Sequence, residues 1–596
     1  MRTSIATVSL SGSLTEKLTA ASRAGFDGVE IFENDLLASP LAPEEIRVRC
    51  ADLGLRIELY QPMRDIEAVP AAEFARNLRR ARHKFELMGR LGADTVLVCS
   101  SVCPSAVDDD ALAAAQLSEL ADLAQDFGIR VAYEALAWGR HVSTYDHAWR
   151  IVETAGHPAL GTCLDSFHIL SRGGDPEGLE DIPGEKIFFL QLADAPQLAM
   201  DVLQWSRHYR CFPGQGGFDV AGLVRHVLRT GYDGPLSLEV FNDVFRQAEA
   251  GPTAVDAHRS LLLLQEAVGV ADLPAPVVPT GIAFAELLTP DAEPVAAVLD
   301  ALGFARTARH HGKPVDLWQQ GEARILVNTA GAARRDGTQL AAIGLESPDP
   351  AAAAHRAEAL LAPVLPRRRD PHDAPLDAVA APDGTELFFC ATGHPELPDW
   401  RADFDSLGTG RPQTGVTSVD HLALTQPWHH FDEAALFHRS VFGLDARESV
   451  DVADPYGLLR SRAVGNTDGS VRIVLSVGAA PTDDTVHAQH IALATDDVVA
   501  AAGRFRAAGG RLLRIPANYY DDLAARFELP EEELAAYRDL GILYDRDAGG
   551  AFRHCYTETV GRVFFELVQR DPGHRGYGAP NASVRLAAQH AQRPAR

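Results

Sequence analysis

The first 268 residues alternate eight times between short apolar runs and helical patterns, and this alternation constrains the fold more than any other feature of the chain. The runs cover 3–8, 27–33, 56–62, 95–101, 130–136, 161–168, 186–194 and 236–242, and most are close to continuously apolar. Strands covered on both faces read this way, because helices shield each side of a parallel sheet. Between them lie amphipathic stretches such as AAEFARNLRRARHKFELMGRLG and DDDALAAAQLSELADLAQDFG. Several stop at a glycine (Gly54, Gly92, Gly128), as helix C-termini do. Eight βα units in about 265 residues predict an α/β domain of the (β/α)8 TIM-barrel class, residues 1–268. The competing doubly wound sheet in its nucleotide-binding form would carry a Gly-rich loop after the first run, and none is present.

Residues 269–280, GVADLPAPVVPT, are proline-rich without helical period and read as a linker. An internal repeat follows. GIAFAELLTPDAEPVAAVLDALGF from 281, AAIGLESPDPAAAAHRAEALL from 341, VDHLALTQPWHHFDEAALFHRSVFG from 419 and HAQHIALATDDVVAAAGRFRAAGG from 487 each combine a strand, a turn and a helix. Four βαβββ modules in two halves, 281–410 and 411–575, predict a second α+β domain of paired, cupped sheets. Residues 576–596 are polar and Ala-rich and read as a peripheral tail.

In a barrel of this kind, strand C-termini converge on one face. Four runs place an oxygen-bearing side chain there: Glu134 in RVAYEAL, Asp165 in GTCLDSFH, Gln191 in KIFFLQLAD and Glu239 in LSLEVFN. Such a hard-oxygen set suits Mg²⁺, Mn²⁺ or Co²⁺ rather than structural zinc. The bland alternative is that each acid meets its own neighbouring base. His168, three residues beyond Asp165, either moves a proton near neutral pH or is a loop residue. The segment QWSRHYRCFPGQGGFD carries Ser206, Arg207, His208 and Arg210, and an arginine there suits bidentate capture of a carboxylate or phosphate. Gly214, Gly216 and Gly217 would let this loop approach a ligand closely. Glu30 and Glu58 also end strands and read as lining residues.

The net charge of −27 argues against nucleic acid or an anionic membrane as a partner. No apolar run approaches the roughly 20 residues of a membrane helix. MRTSIATVSL reads as a strand rather than a signal peptide. Seven scattered cysteines make no disulfide framework, and Cys99 with Cys103 reads as structural. These features predict a cytoplasmic enzyme with a small-molecule substrate, and leave homo-oligomerisation open.

The segments AYEALAWGRH, LDSFHIL, FLQLADAP, the WSRHYR–PGQG loop and SLEVFND resemble the xylose-isomerase-like sugar phosphate isomerase/epimerase barrels. More narrowly, they are similar to the bacterial 3-dehydroshikimate dehydratase family. That resemblance implies Glu134, Asp165, Gln191 and Glu239 as metal ligands and His168, Ser206 and Arg210 as substrate-handling residues. It implies a lyase that converts 3-dehydroshikimate to protocatechuate by enediolate formation, β-elimination and aromatisation, in quinate and shikimate catabolism. The base would be His168, with Glu134 and Glu239 as alternatives, and Arg210 with Ser206 would hold the substrate carboxylate. A ketose epimerase or isomerase is the rival within the same barrel, although Gln191 stands where those enzymes usually carry histidine.

In the second domain, His421 in SVDHLAL, His490 in HAQHIAL and Glu566 in VFFELVQR match a two-histidine, one-carboxylate triad. QHIALATDD, NYYDDL, ILYDRD and FFELVQR resemble 4-hydroxyphenylpyruvate dioxygenase of the vicinal oxygen chelate fold, which implies a second divalent ion, Mg²⁺ or Fe²⁺. Aligning the repeats sets His421 against Phe284, His490 against Ala342 and Glu566 against Cys390, so the first half keeps the fold without the triad. The family's asparagine gives way to Ser476 in VRIVLSV, and GYGAPNASVRLAAQ replaces its GNF-type helix. An active oxygenase half, making the chain bifunctional, is therefore the less favoured expectation.

Overall fold

Eight parallel strands close on themselves in the first part of the computed structural model: β1 (Thr3–Ala6), β2 (Gly28–Phe32), β3 (Arg56–Met63), β4 (Thr95–Cys99), β5 (Arg130–Glu134), β6 (Leu160–Asp165), β7 (Ile187–Leu192) and β8 (Leu236–Leu238). The predicted TIM barrel is borne out. The structure describes residues 1–330, 337–366, 373–408, 415–455, 457–478 and 488–592. Its compact units are Met1–Leu273 and Pro274–Arg596.

Most strands are shorter than the apolar runs suggest, and two of these differences shape the site. β6 stops at Asp165, and His168 lies on the short helix Ser166–Leu170. Asp165 itself ends the strand: its Oδ1 accepts from the amides of Phe167 (2.6 Å) and His168 (3.3 Å), capping the helix. β8 stops at Leu238, which leaves Glu239 one residue beyond the ladder. Leu59, Leu97, Cys99, Ala132, Cys163 and Phe189 pack together as an apolar cluster separate from the main core.

The second unit holds two eight-stranded sheets. The first comprises β9 (Gly281–Leu288), β10 (Ala305–His310), β11 (Val315–Gln320), β12 (Ala323–Asn328), β13 (Gln339–Glu346), β14 (Ala378–Ala380), β15 (Glu386–Cys390) and β16 (Phe404–Ser406). The second comprises β17 (Ser418–Thr425), β18 (Asp445–Asp454), β19 (Gly457–Gly465), β20 (Arg472–Gly478), β21 (Gln489–Ala494), β22 (Leu543–Asp547), β23 (Gly550–Tyr556) and β24 (Val563–Arg570). Their orders are β14-β15-β13-β9-β12-β11-β10-β16 and β18-β19-β20-β17-β21-β24-β23-β22. Read in opposite directions, seven consecutive positions correspond, from β10 with β18 to β14 with β23. The expected boundary between the halves, 410/411, lies outside the described residues.

The registers correct one repeat assignment. His421 pairs with Ala492, and Ala492 with Glu566. In the first sheet Phe284 pairs with Gly344, and Gly344 with Phe388. Phe388, not Cys390, therefore stands where Glu566 does. A two-residue slip keeps every side chain on the same face of a strand, so sequence alignment alone does not detect it. Phe284, Ala342 and Phe388 instead join an apolar cluster with Trp400, with Phe284 ring centroids 5.9 Å from Phe388 and 4.9 Å from Trp400.

Part of the linker-like stretch is tied down within the second unit, where Asn466 donates to the Pro279 carbonyl at 3.0 Å. The residues read as a peripheral tail form the helix Ala579–Gln592, with Asn581, Leu586 and Ala588 buried. Asn581 anchors it: Nδ2 donates to the Tyr544 carbonyl (3.1 Å), and Oδ1 accepts from the Tyr519 hydroxyl (3.0 Å). A helix made mostly of small and polar residues looks peripheral because one fully buried amide and a single leucine, Leu586 packed with Val452 and Leu459, hold it. Asn581→Ala leaves these groups without their partner and is expected to cost about 2 kcal/mol. Urea denaturation followed by circular dichroism tests this, and a loss near zero contradicts the anchoring role.

Candidate metal centres

The barrel strands bring Glu134, Asp165 and Glu239 together at their C-terminal ends, with Glu30 from β2 and Gln191 from β7 beside them. All five are almost fully buried. Ligand-type atoms of Glu134, Asp165 and His168 lie within 4.8 Å of one another. Glu239 joins this group through Arg210, whose Nη1 donates to Asp165 Oδ2 at 2.8 Å and to Glu239 Oε2 at 3.0 Å. Gln191 turns its Nε2 away to Glu30 Oε2, at 2.6 Å. Glu134 Oε2 accepts from the Cys99 thiol at 3.3 Å, while its Oε1 is buried without a hydrogen-bond partner.

The charges explain what this cluster requires. Burial raises Glu134 well above the usual carboxylate range, and Asp165 and Glu239 push it further. Burial also raises Glu239, with Arg210 opposing. Burial pushes Asp165 upward too, but Arg210 and His168 outweigh it and hold it below its ordinary value. Four buried carboxylates thus share one fully buried guanidinium, while Arg64 and Arg207 stand half-buried around the same small cavity. Buried charge of one sign needs a counter-charge. A hard divalent cation held by Glu134, Asp165, Gln191 and Glu239 would supply it, and the donor set fits such an ion.

The substrate-handling expectations divide. Ser206 Oγ accepts from Arg210 Nη2 (2.8 Å) and Nε (3.2 Å), so the serine positions the arginine. Arg210 is engaged with carboxylates rather than aimed into open space, and its guanidinium also lies 4.6 Å from the Phe167 ring centroid. His208 pairs with Asp243 at 2.9 Å on the exposed surface and takes no part. The glycines of the 214–217 loop serve the protein rather than a ligand. Asp194 accepts from the amides of Gly214 (3.0 Å), Gly216 (3.0 Å) and Phe218 (2.9 Å), and a Cβ on Gly216 would lie 2.3 Å from the Asp194 carboxylate. Arg64, immediately after β3, escaped the sequence reading, although its strand-end position was a usable signal.

Both ring nitrogens of His168 face hydrogen-bond donors. The Ala137 amide donates to its Nδ1 at 3.1 Å, and Arg210 Nη2 lies 3.3 Å from its Nε2. His168 Nε2 also faces Asp165 Oδ2 at 3.8 Å and Glu134 Oε1 at 3.9 Å. Burial lowers the imidazole to about 3, so it stays neutral at physiological pH.

The second centre is geometrically tighter. His421 Nε2 and His490 Nε2 are 3.2 Å apart, and Glu566 Oε2 lies 3.2 Å from the first and 3.1 Å from the second. Cis ligands held at about 2.1–2.2 Å around an octahedral ion are separated by about 3.0 Å, so this triangle fits one face of such an ion. Outer contacts orient His421 and Glu566. Asp420 Oδ1 takes His421 Nδ1 at 2.8 Å and is itself clamped by Arg570 at 2.8 Å. His554 Nδ1 meets Glu566 Oε1 at 2.6 Å, and its Nε2 meets Asn581 at 3.1 Å. The triad opens into a cavity of about 580 Å³, whose lining includes Tyr556, Tyr577, Arg585 and Leu586. A helix therefore does cover this site, built from the segment in which the sequence showed no GNF-type pattern.

A hard-oxygen cluster in the mouth of a parallel barrel, followed by a cupped-sheet domain with a His–His–Glu face, defines a two-part metalloenzyme class. Residues 18–264 match the xylose isomerase-like TIM barrel family, 274–391 the N-terminal region of hydroxyphenylpyruvate dioxygenase, and 418–545 the glyoxalase/bleomycin resistance protein/dioxygenase superfamily. A solved xylose isomerase-like TIM barrel/4-hydroxyphenylpyruvate dioxygenase fusion protein superposes with a TM-score of 0.91 at 43% identity, covering 100% of both chains. The 3-dehydroshikimate dehydratases of Pseudomonas putida and Pseudomonas aeruginosa are 44% and 45% identical, each over 99% of this chain and 98% of their own length. The chain belongs to the 3-dehydroshikimate dehydratase family. Among the described residues, no helix is long and apolar enough to cross a membrane.

Burial lowers His490 to about 4, whereas Glu566 and Asp420 outweigh burial and raise His421. An unfolded histidine titrates near about 6.5, so below that pH the unfolded chain takes up a proton that folded His490 refuses. Its contribution to stability therefore falls as pH drops from about 6.5 to about 4. In EDTA, the melting midpoint of His490→Gln is expected to fall less steeply over this window than that of the parent. Parallel curves would contradict the assignment.

Proposed function

We propose that the barrel dehydrates 3-dehydroshikimate to protocatechuate using a divalent ion, Mg²⁺, Mn²⁺ or Co²⁺, held by Glu134, Asp165, Gln191 and Glu239. The full-length relationship to dehydratases carries this reading, and the buried excess of carboxylates supports it. The same relationship favours it over the epimerase alternative. When bound, the ion polarises the substrate ketone and acidifies the adjacent C–H.

The side chains divide the remaining work. Glu134 Oε1, raised and without a partner, takes the proton from the hydroxyl-bearing carbon beside the ketone. It returns that proton to the hydroxyl one carbon further on, which departs as water. Loss of one more ring proton gives the aromatic product. His168, kept neutral by burial and with a donor beside each ring nitrogen, handles the substrate instead of acting as the base. Arg64 and Arg207 line the cavity and neutralise the substrate carboxylate together with Arg210, which Ser206 positions. This replaces the expectation that Arg210 and Ser206 alone hold the carboxylate.

In the second unit, we infer that His421, His490 and Glu566 hold a second divalent ion, Mg²⁺ or Fe²⁺. The near-equal edges of their triangle support this.

The test follows protocatechuate absorbance with purified protein, 3-dehydroshikimate and each metal in turn. Activity is expected to vanish in EDTA and return on metal re-addition, and absence of product under every metal condition refutes the reading. Glu134→Gln is expected to lower kcat by about 10³-fold or more. His168→Gln is expected to retain far more activity than Glu134→Gln. The reverse ranking would restore His168 as the base.

A further inference from the structure

A glutamine can serve a hard cation through one atom only. Its Oε1 accepts, while its Nε2 carries two protons and repels positive charge. The two ends of a carboxamide have nearly the same shape, so packing alone does not decide which one faces an ion. A glutamine at such a site therefore needs a dedicated acceptor that claims Nε2.

Glu30 occupies that position for Gln191. Its Oε2 accepts from Gln191 Nε2 at 2.6 Å and from Gln61 Nε2 at 2.8 Å, and its Oε1 accepts from the Ser237 hydroxyl. The contact runs from β2 to β7, with β1 and β8 between them in the closed sheet, so Glu30 reaches across the barrel interior. Ser237 lies beside Gln191 in the β7–β8 register. Glu30, Gln61, Gln191 and Ser237 are each 1% exposed or less. Three donors from three strands hold this one carboxyl group. With Nε2 committed, Gln191 Oε1 is left beside the Cys163 thiol, at 3.5 Å.

We propose that Glu30 is a positioning residue: it orients the Gln191 carboxamide so that oxygen, not nitrogen, is presented to the barrel's divalent ion. The inference rests on the barrel metal site proposed above. It gives Glu30 a function that its place in the sequence alone did not distinguish from that of a lining residue. It also states what a glutamine requires at this ligand position, namely a buried carboxylate within reach of its nitrogen.

The test measures Mn²⁺ binding calorimetrically in the full chain carrying His421→Ala, so that only the barrel is counted. Glu30→Gln is expected to weaken Mn²⁺ binding roughly 10- to 100-fold, as loss of an outer partner of a metal ligand does. Its melting midpoint in EDTA is expected to be no lower than the parent's, because a neutral amide replaces an acid whose ionisation burial and Glu239 already disfavour. Gln191→Glu alone is also expected to weaken binding, since it sets two carboxylates against each other. Combining the two changes reverses the polarity of the pair: the new amide donates to the new carboxylate, and affinity is expected to return to within about fivefold of the parent or above it. A merely structural role for Glu30 predicts no such rescue. Parent-like binding by Glu30→Gln, or a double variant no better than the worse single one, overturns the proposal. Retention of Mn²⁺ by Glu134→Gln in the same background would instead refute the barrel metal site itself.

Discussion

Burial of like charge at the mouth of the barrel is the constraint on which the site depends. A closed parallel sheet aims its strand ends at one point, and here those ends carry Glu134, Asp165 and Glu239, with Glu30 buried beside them in the middle of β2. Removing an ionised carboxylate from water costs several kcal/mol unless compensation is close. The surroundings supply it in layers. Arg210 bridges Asp165 and Glu239, Ser206 fixes Arg210, and Gln61, Gln191 and Ser237 donate to Glu30. Even the end of β6 belongs to this arrangement, because one oxygen of Asp165 caps the following helix while the other meets Arg210.

The second unit shows the same sheet plan with and without chemistry. Seven strand positions correspond between its sheets, yet one carries His421, His490 and Glu566 where the other carries Phe284, Ala342 and Phe388. The aromatic version packs as core. The polar version survives burial because two of its three ligands have outer partners: Asp420 behind His421, and His554 behind Glu566. Asn581 joins His554 to the C-terminal helix, so the cover of the pocket and the orientation of the carboxylate share one hydrogen-bonded chain. The triad is thus a supported feature of one half rather than a requirement of the fold.

The individual residues show where sequence reading succeeds. Glu134, Asp165, Gln191 and Glu239 were legible because strand ends in a barrel converge by topology, whatever the details of packing. The His–His–Glu set was legible because the internal repeat supplied its own comparison. Asp194 and Arg64 were missed, and the glycine loop was misread as a ligand-approach device, because the Asp194 partners lie 20 to 24 residues away across a turn of no regular period. His168 was assigned to the right neighbourhood, beside Glu134, Asp165 and Arg210. A sequence shows which residue is a histidine, but not which of its nitrogens an amide from another strand end will occupy.

By itself, the sequence determined the periodicities: eight buried runs that close a barrel, a repeat that builds paired sheets, and the residue types able to bind hard cations. Only the tertiary structure decided orientation. It turned the nitrogen of Gln191 to Glu30, set donors against both ring nitrogens of His168, placed Arg210 between two carboxylates and put Phe388 in the position that corresponds to Glu566. The physical reason is that hydrophobic patterning depends on averaged, non-directional burial over many residues, whereas hydrogen bonds and ion pairs depend on single atoms brought together from distant strands.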